Sequence, residues 1–525
     1  MGAGPPGLGD LEGWLRHEGE RLSDAVGGPA RLKVIVLLAC VMGLQAADVA
    51  TVGAAAVPLE AAFHITNTQV GLLVTVSTAI GAVATLPVGV MVDRLTRTRI
   101  LAISILVWCA AELASAASQS YLWLLLTRLA LGAVVATASP SVASLTGDLF
   151  KVSERARIYG YILTGELVGA GVGILVSGDL GGISWRASFA WLVVPGAVLA
   201  FVIWRFLPEP ARGGQSRMAE GAETIPSAVD VALDNVPPGT VAEEDATESQ
   251  GVVEEEVVDQ GVEPRRGLVL ERDPTGRNLW WAVRYVLAIP TNRRLIIGSA
   301  LGYFYFQGLR TFAVEYLRGR FGLGQGAASS LLIVIGIGAI IGALVTGRVA
   351  DRLVRIGRIP GRVLVAGVSF LVAVALLVPG LATSSIAVAI PLFFVGAAGL
   401  GGSNSPLDAA RLDIMHSRLW GRAEAVRTTF RASLEAIAPL LFGYVSTQLG
   451  GNSTSAAVSS GLYAGQGSGL DLTFLIMLVP VLCSGVIILL ARRTYPRDVA
   501  TAMASEHTSN EVVEVAPDDQ DAADP

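Results

Sequence analysis

The nine-residue motif Gly89-Val-Met-Val-Asp93-Arg94-Leu95-Thr-Arg97 recurs 258 residues later as Gly347-Arg-Val-Ala-Asp351-Arg352-Leu353-Val-Arg355. Five of the nine positions are identical in the two copies. Each copy follows a long apolar run, at the end of the second hydrophobic helix that we predict in its half of the chain. A repeat of this kind predicts two parallel six-helix halves related by an axis normal to a membrane.

The composition of the chain is that of a membrane protein. Of its 525 residues, 52% are hydrophobic and only 16% are charged. So few charges cannot cover the surface of a soluble domain, whereas a helix of about 20 apolar residues can cross a hydrocarbon core of roughly 30 Å. The sequence therefore predicts an all-α polytopic membrane protein with twelve transmembrane helices. They are predicted at 31–60, 69–92, 100–118, 121–149, 156–178, 186–207, 293–318, 326–349, 362–381, 384–409, 424–449 and 470–492.

Charge is distributed unevenly and marks the domain boundaries. Residues 213–263 carry thirteen acidic residues against one basic residue, and residues 498–525 carry eight acidic residues without Lys or Arg. Acid-rich segments with few aromatic residues cannot bury a core. We therefore predict an interfacial N-terminal segment at 1–30, a six-helix bundle at 31–207, an acidic disordered cytoplasmic linker at 208–275, an interfacial helix plus a second six-helix bundle at 276–492, and an acidic disordered cytoplasmic tail at 493–525.

The loops indicate the orientation in the membrane. Basic residues concentrate on one side, at 94–99, 151–157, 352–362 and 418–422, whereas the opposite loops contain few. The positive-inside rule therefore places both termini and the linker in the cytoplasm. Because the chain is rich in Arg, Ala and Gly, its composition also favours a bacterial source. We expect a multi-pass protein of the bacterial cytoplasmic (inner) membrane.

The repeated motif resembles the signature loop of the major facilitator superfamily, Gly-x-x-x-Asp-Arg-x-x-Arg. The resemblance extends over residues 31–492 apart from the linker, and it implies a transporter that works by alternating access. In this interpretation Gly89 lets a neighbouring helix approach closely, and Asp93 faces the positive N-terminus of a helix. The arginines then form ion pairs that favour one conformational state. The alternative is that these loop arginines serve only to set the orientation of the protein in the membrane.

A closer resemblance, to the Spinster-type lipid transporters, lies in the first and fourth helices. The first helix contains Asp48-Val-Ala-Thr-Val-Gly, and the fourth contains Arg128-Leu-Ala-Leu-Gly132. Members of that branch move lysophospholipids or sphingoid lipids, so the resemblance implies an amphiphilic lipid substrate. Two departures stand out: the branch's Asp-Arg pair in the first helix is Asp48-Val49 here, and its glutamate in the fourth helix is replaced by Val135. Proton coupling must therefore be reduced or rearranged.

Charged residues inside the predicted helices are the candidates for proton coupling. A charge at the bilayer centre costs about 2.5–3.5 kcal/mol on insertion scales, so each one needs a partner or a function. Asp48 and Arg128 lie on helices that line the central cavity of the resembled fold, where an Asp beside an Arg can act as a proton switch. The alternative is a static buried ion pair. Glu166, in the predicted fifth helix, is a third candidate. The glycines of that helix indicate close packing against another helix. Glu112 and Glu435 are further acids, of which Glu435 is explained more simply by a local ion pair.

The predicted seventh helix combines aromatic and polar residues. Tyr303-Phe-Tyr305-Phe-Gln307 is followed closely by Arg310. Rings beside an intramembrane arginine suit an amphiphilic anion, with its chain against the rings and its head group on the guanidinium. The alternative is that Arg310 pairs with Glu315 or extends toward the membrane surface. Asn404, in the predicted tenth helix, completes the set of substrate-cavity candidates.

Together these patterns predict a proton-coupled secondary transporter that moves a small organic or lysolipid-like amphiphile. The alternatives are a multidrug efflux antiporter and, from another class, a membrane sensor or scaffold with the same fold. The sequence contains no Ser/His/Asp or metal-ligand constellation and no nucleotide-binding Gly-Lys motif, so we predict no enzymatic activity, catalytic residue, metal site or cofactor. The expected partners are membrane lipids, the substrate and the proton, without nucleic acid, and the chain is expected to be a monomer.

Overall fold

The computed structural model describes residues 28–94, 96–150, 155–209, 253, 256–272, 274, 277–416, 419–450 and 468–514. Over these ranges the chain is predominantly helical and contains no β-strand. The chain divides into two compact units. The first unit is Met1–Ile65 with Val76–Val236, and the second is Thr66–Thr75 with Pro237–Pro525.

Nine helices are described in the N-terminal half. They are α1 (Pro29–Ala54), α2 (Ala56–Phe63), α3 (Asn67–Arg94), α4 (Arg97–Ala116), α5 (Tyr121–Val135), α6 (Ala138–Leu149), α7 (Arg155–Ile183), α8 (Trp185–Ala190) and α9 (Val193–Phe206). The first residues of α3 pack with the second unit, and the rest of α3 belongs to the first.

Nine further helices are described in the C-terminal half. They are α10 (Leu279–Ala288), α11 (Pro290–Phe321), α12 (Gln325–Arg355), α13 (Gly361–Ala382), α14 (Ile386–Gly402), α15 (Asn404–Asp413), α16 (Trp420–Gln448), α17 (Ser468–Ala491) and α18 (Tyr495–Glu514). The short α10 lies where the sequence predicts an interfacial helix before the seventh span, and Pro290 ends it by starting α11.

Each of the twelve predicted spans carries one helix or two consecutive helices. Nine of the described spans are long and apolar enough to cross a membrane. The other three are the α5–α6 pair, which is broken near Ala136, and the long but more polar helices α11 and α16. The predicted fold class, an all-α polytopic membrane protein, is confirmed. Consistent with contact with lipid, α9 exposes Val198, Phe201 and Trp204.

Close packing of α1 against α7 forms the centre of the first unit. A methyl group added at Gly169 would lie 2.1 Å from the carbonyl oxygen of Gly43, and one added at Gly173 would lie 2.5 Å from the Cα atom of Ala47. Only glycine allows two helix backbones to approach this closely. The predicted packing role is confirmed for Gly165, Gly169 and Gly173, whereas a methyl group added at Gly171 would meet no atom within 4 Å.

The tail differs from the prediction of a disordered segment at 493–525, because residues 495–514 form α18. Tyr495 and Val499 are fully buried on one face of this helix. Asp498, also buried, accepts hydrogen bonds from Arg265 and from the backbone N–H of Thr291. The prediction was wrong because it treated every acid of the segment as a solvated charge. One of these acids, Asp498, is instead a buried hydrogen-bond acceptor.

The end of the predicted linker at 208–275 also packs on the second unit. Val253 and Val257 are buried, and the side chain of Gln260 donates a hydrogen bond to the carbonyl oxygen of Gly357 over 3.3 Å. Residues 210–252, which carry eight of the sixteen acidic residues of the linker, lie outside the described residues, as does most of the predicted N-terminal segment at 1–30.

Candidate functional site

Three charged side chains meet in the interior of the first unit. Arg128 on α5 donates from Nη1 to Oδ1 of Asp48 on α1 over 2.9 Å. Its Nη2 donates to both carboxylate oxygens of Glu112 on α4, over 2.9 and 3.0 Å. Asp48, Glu112 and Arg128 are 3%, 0% and 1% exposed. We call these three residues the charge cluster.

The charge cluster has one more acid than base. With both carboxylates ionised, the site carries one uncompensated negative charge among buried side chains. Burial makes an unpaired charge costly, so the binding of one proton neutralises the group. The Nε atom of Arg128 has no hydrogen-bond partner among the described residues, and its guanidinium carbon lies 4.8 Å from the ring centre of Phe189.

A set of hydroxyl contacts holds α1 in place beside the charge cluster. Thr51, less than one turn after Asp48, contacts the hydroxyl of Ser177 on α7 over 2.7 Å. The indole N–H of Trp191 donates to the same Ser177 hydroxyl over 2.9 Å. Because these contacts join α1 to α7 and to the segment after α8, they restrict where the carboxylate of Asp48 can lie.

The structure brings together two of the three predicted proton-coupling residues, Asp48 and Arg128. Glu166 is partly buried on α7 and is not among the described partners of Arg128. The third member of the charge cluster is instead Glu112, which sequence reasoning noted as a further acid but did not select. One feature of the sequence could have identified Glu112: it is an acid inside a predicted span that otherwise contains apolar and small residues.

The predicted substrate residues of α11 have different surroundings. Tyr305 is 1% exposed and packs its ring 6.0 Å from Phe442 and 6.2 Å from Phe474, so it belongs to the core of the second unit. Gln307 is also buried. These two side chains offer little surface to a ligand.

The remaining candidates are partly exposed. The guanidinium of Arg431 on α16 lies 3.6 Å from the ring centre of Tyr303, and the same Arg431 pairs with Glu435 over 3.0 Å, as the sequence suggested for that acid. Arg310 lies 5.9 Å from the ring centre of Phe306, and Asn404 begins α15.

The carboxylate of Glu315 is hydrogen-bonded to the start of α3. Its Oε1 accepts a hydrogen bond of 2.9 Å from the side chain of Asn67, which also donates to Ser446 over 2.9 Å. This hydrogen bond shows one partner of Glu315, and the pairing of Arg310 with Glu315 stays a prediction.

Exposed charges occur at the neighbouring ends of two helices that the sequence predicts to span the membrane. Arg411 on α15 contacts Asp408 and lies 3.1 Å from Glu424 on α16. The side chains of Asp408 and Glu424 are 59% and 50% exposed. The exposure of these charges indicates that the ends of the two spans contact water on this side of the second unit.

The first copy of the repeated motif is only partly described. Gly89, Asp93 and Arg94 lie on α3, but their side chains are outside the described residues. The last residue of the motif, Arg97, is 2% exposed and donates from Nε to Glu209 over 3.0 Å. This ion pair lies within the first unit.

The carboxylate of Glu209 binds the N-terminus of α4. It accepts hydrogen bonds from the backbone N–H groups of Arg97 and Thr98 over 3.1 and 2.8 Å and from the Thr98 hydroxyl over 2.8 Å. Partial burial acts to raise the pKa of Glu209, but the hydrogen bonds from Thr98 and Arg97 outweigh it and lower the pKa. A carboxylate also suits the positive end of a helix.

The second copy of the motif joins a buried polar network at the end of α13. Asp351 lies 3.7 Å from Arg362, whose guanidinium also binds Asp413. The hydroxyl of Tyr495 on α18 donates to the same Asp413. This network connects the motif to the helix that replaces the predicted disordered tail.

The other predicted motif residues of the second copy lie on α12. A methyl group at Gly347 would lie 2.8 Å from the hydroxyl of Ser405 on α15, so this glycine allows close approach, as predicted for its counterpart. Arg352 and Arg355 lie in the last turn of α12.

These features define a polytopic α-helical membrane protein of the transporter type. The sequence profile of the Major Facilitator Superfamily matches residues 38–439. The chain belongs to that family, which consists of transporters and not of enzymes.

The fold is similar to that of a bacterial homolog of the human lysosomal transporter Spinster. The match to the structure of that protein in its inward-facing and unoccupied conformation has a TM-score of 0.68 with 19% sequence identity. It covers 90% of this chain and 98% of the other. In its inward-facing and occupied conformation the TM-score is 0.63 with 17% identity, covering 92% and 98%.

Curated relatives are similar over parts of the chain. Protein spinster homolog 1 of Xenopus laevis is 28% identical over 191 residues, which are 36% of each chain. The MFS-type transporter phiD of a fungal species is 23% identical over 337 residues, which are 62% of this chain and 47% of that protein. The matched regions cover between 30% and 47% of the length of these first relatives. The chain therefore resembles the Spinster branch within its family.

Proposed function

We propose that the chain is a secondary active transporter that works by alternating access and couples the movement of its substrate to a proton. The observation that supports this proposal is the charge cluster, in which one buried arginine serves two buried carboxylates. A static ion pair needs one acid and one base. The extra carboxylate gives the site a place for one proton.

Asp48 is the member of the cluster that we assign to proton exchange. Arg128 holds Glu112 through both carboxylate oxygens, whereas it contacts Asp48 through Oδ1. Asp48 is therefore held by fewer hydrogen bonds from the guanidinium. Protonation of Asp48 removes its charge and weakens its attraction for Arg128, while Glu112 continues to balance the arginine. The helix that carries Asp48 then becomes free to move relative to α5.

The proposed substrate is a small organic or lysolipid-like amphiphile. Support comes from the resemblance to the Spinster branch and from the pairing of Tyr303 with Arg431 in the second unit. Arg431 lies seven residues after Glu424, where the predicted span begins, or about 10 Å along a helix that rises 1.5 Å per residue, which is about a third of a hydrocarbon core of roughly 30 Å. A guanidinium at this depth beside an aromatic ring can hold an anionic head group and leave the chain against the ring. We include Arg310 and Asn404 in the same proposed cavity.

We further propose that the protein lies in the cytoplasmic membrane of a bacterium with both termini in the cytoplasm, as a monomer. The distribution of arginine among the loops supports this orientation.

Flux measurements in proteoliposomes test the coupling. Uptake of a labelled lysophospholipid is measured with and without an imposed pH gradient, for the parent chain and for Asp48→Asn. The Asn variant keeps the shape of the side chain and mimics its protonated form. We expect pH-driven accumulation to fall about tenfold or more, while downhill flux without a gradient stays within a few-fold of the parent.

Asp179→Asn is the matched control, because it makes the same chemical change at an exposed position of α7. It should leave both kinds of flux unchanged. Normal pH-driven accumulation in Asp48→Asn contradicts the coupling role. A lower folded yield without a selective loss of coupling instead identifies a structural ion pair. Accumulation of a cationic dye in place of the lysolipid supports the multidrug alternative.

A further inference from the structure

A basic cavity lies where the interfacial helix α10 meets the membrane helix α11. Its volume is about 550 Å³, and it is lined by the segment from Glu263 to Leu268, by Ala288 and Pro290 at the helix junction, and by Arg497 of α18. The lining contains three arginines, Arg265, Arg266 and Arg497, and one acid, Glu263.

Hydrogen bonds hold the walls of this cavity together. Arg265 donates from Nε to Asp498 over 2.6 Å and from its backbone N–H to Thr501 over 2.9 Å, which fixes the segment on α18. The hydroxyl of Tyr285 on α10 donates to the carbonyl oxygen of Leu268 over 2.9 Å. The cavity is therefore built by three connected elements and is not a gap between loose loops.

Two of the three arginines have no described counter-charge. Asp498 is buried and uses its two oxygens for Arg265 and for the N–H of Thr291. Arg266 and Arg497 are exposed, and neither forms an ion pair within the part of the chain that the structure describes. The bond to Asp498 uses one of the five N–H donors of Arg265, so its guanidinium keeps donors for a second partner.

The position of α10 places the cavity at the surface of the membrane. This helix buries Ala282 and Val286 on one face and exposes Trp280 and Arg284 on the other. Trp280 is 70% exposed, and exposed tryptophans beside arginines are typical of the boundary between hydrocarbon and head groups. Phosphate groups of lipids lie at this depth.

We propose that this cavity binds a phosphate group, and that its source is the head group of an anionic phospholipid. Guanidinium groups bind phosphate through paired hydrogen bonds, and Leu268, Ala288 and Pro290 supply an apolar wall for the glycerol region. Occupation of the site ties together α18, the end of the linker and the start of α11. The proposal does not depend on transport activity.

Thermal unfolding of the full-length protein in a neutral detergent tests the proposal. The midpoint is followed while phosphatidylglycerol, phosphatidylcholine or inorganic phosphate is added, and the concentration dependence yields an apparent affinity. We expect phosphatidylglycerol to raise the midpoint at concentrations at least tenfold below those at which either other additive does so. If inorganic phosphate stabilises as strongly as the anionic lipid, the lipid source is wrong.

Paired variants locate the site. Arg266→Ala/Arg497→Ala removes two charges from the cavity, and we expect it to weaken phosphatidylglycerol binding about thirtyfold. The control Arg272→Ala/Arg284→Ala removes two exposed charges outside the cavity lining. Its loss of affinity for phosphatidylglycerol should be at least fivefold smaller. Equal losses in the two double variants overturn the site, because they indicate general attraction of the lipid to a basic surface.

Discussion

Replacement of Gly169 by alanine should separate α1 from α7. The two helices meet through glycines, and an alanine methyl group at this position would lie 2.1 Å from the carbonyl oxygen of Gly43 and 2.3 Å from its Cα atom. Both atoms belong to the backbone, so no flexible side chain can turn away. One helix must shift by more than 1 Å to restore an ordinary contact of about 3.5 Å.

The size of the effect follows from two opposing contributions. Overpacking of a close contact typically costs about 1–3 kcal/mol, and contact with rigid backbone favours the upper end of that range. Alanine is a better helix former than glycine by about 0.8–1 kcal/mol, which offsets part of this cost. We therefore expect Gly169→Ala to lower the free energy of unfolding by about 2 kcal/mol.

Gly171 on the same helix is the matched control. No atom lies within 4 Å of a methyl group added at this position, so only the gain in helix propensity remains. Thermal unfolding in detergent, followed by tryptophan fluorescence, should show a lower midpoint for Gly169→Ala and an equal or higher midpoint for Gly171→Ala. Equal midpoints in the two variants would refute the claim that backbone contact limits this interface.

Two further predictions concern polar contacts at the ends of the spanning helices. The pKa of Glu209 is lowered in the folded protein, so its ionised form contributes stability above the usual glutamate value and loses that contribution as the pH falls through the lowered pKa. Glu209→Gln should therefore flatten the decline of the unfolding midpoint between about pH 5 and pH 3, and an unchanged decline would contradict this reasoning. Tyr495→Phe keeps the buried ring but removes the hydroxyl donor to Asp413, which should cost about 1–3 kcal/mol; an unaltered midpoint would show that Asp413 is satisfied by Arg362 alone.

The sequence alone was sufficient to predict the positions of the spanning helices. Insertion into a membrane depends on runs of about 20 apolar residues, and such runs are a local property that can be read without the fold. The glycine spacing of α7, which is also a local property, predicted close packing because residues four apart share one face of a helix. The repeated loop motif likewise identified the family, since its two copies are recognised by spacing.

The partners of the buried charges were only partly predictable. The pairing of Asp48 with Arg128 followed from the family resemblance, whereas the participation of Glu112 depends on the rotation of α4 within the bundle. Similarly, Arg97 and Glu209 are 112 residues apart, and no local pattern connects them. Hydrophobicity determines whether a helix enters the membrane, but it does not determine which partner each polar side chain meets.

Tyr303 and Tyr305 show this division between sequence and tertiary structure. The two tyrosines occupy neighbouring positions of one motif, and the sequence assigns both to a substrate cavity. In the folded protein Tyr305 is enclosed by Phe442 and Phe474, whereas Tyr303 lies beneath Arg431. Residues two apart point to different sides of a helix, and the packing of α11 against α16 and α17 decides which side is core. The pattern of residues is therefore enough to recognise α11 as a membrane helix with polar character, whereas the availability of each of its side chains to a ligand depends on how the helix packs in the folded protein.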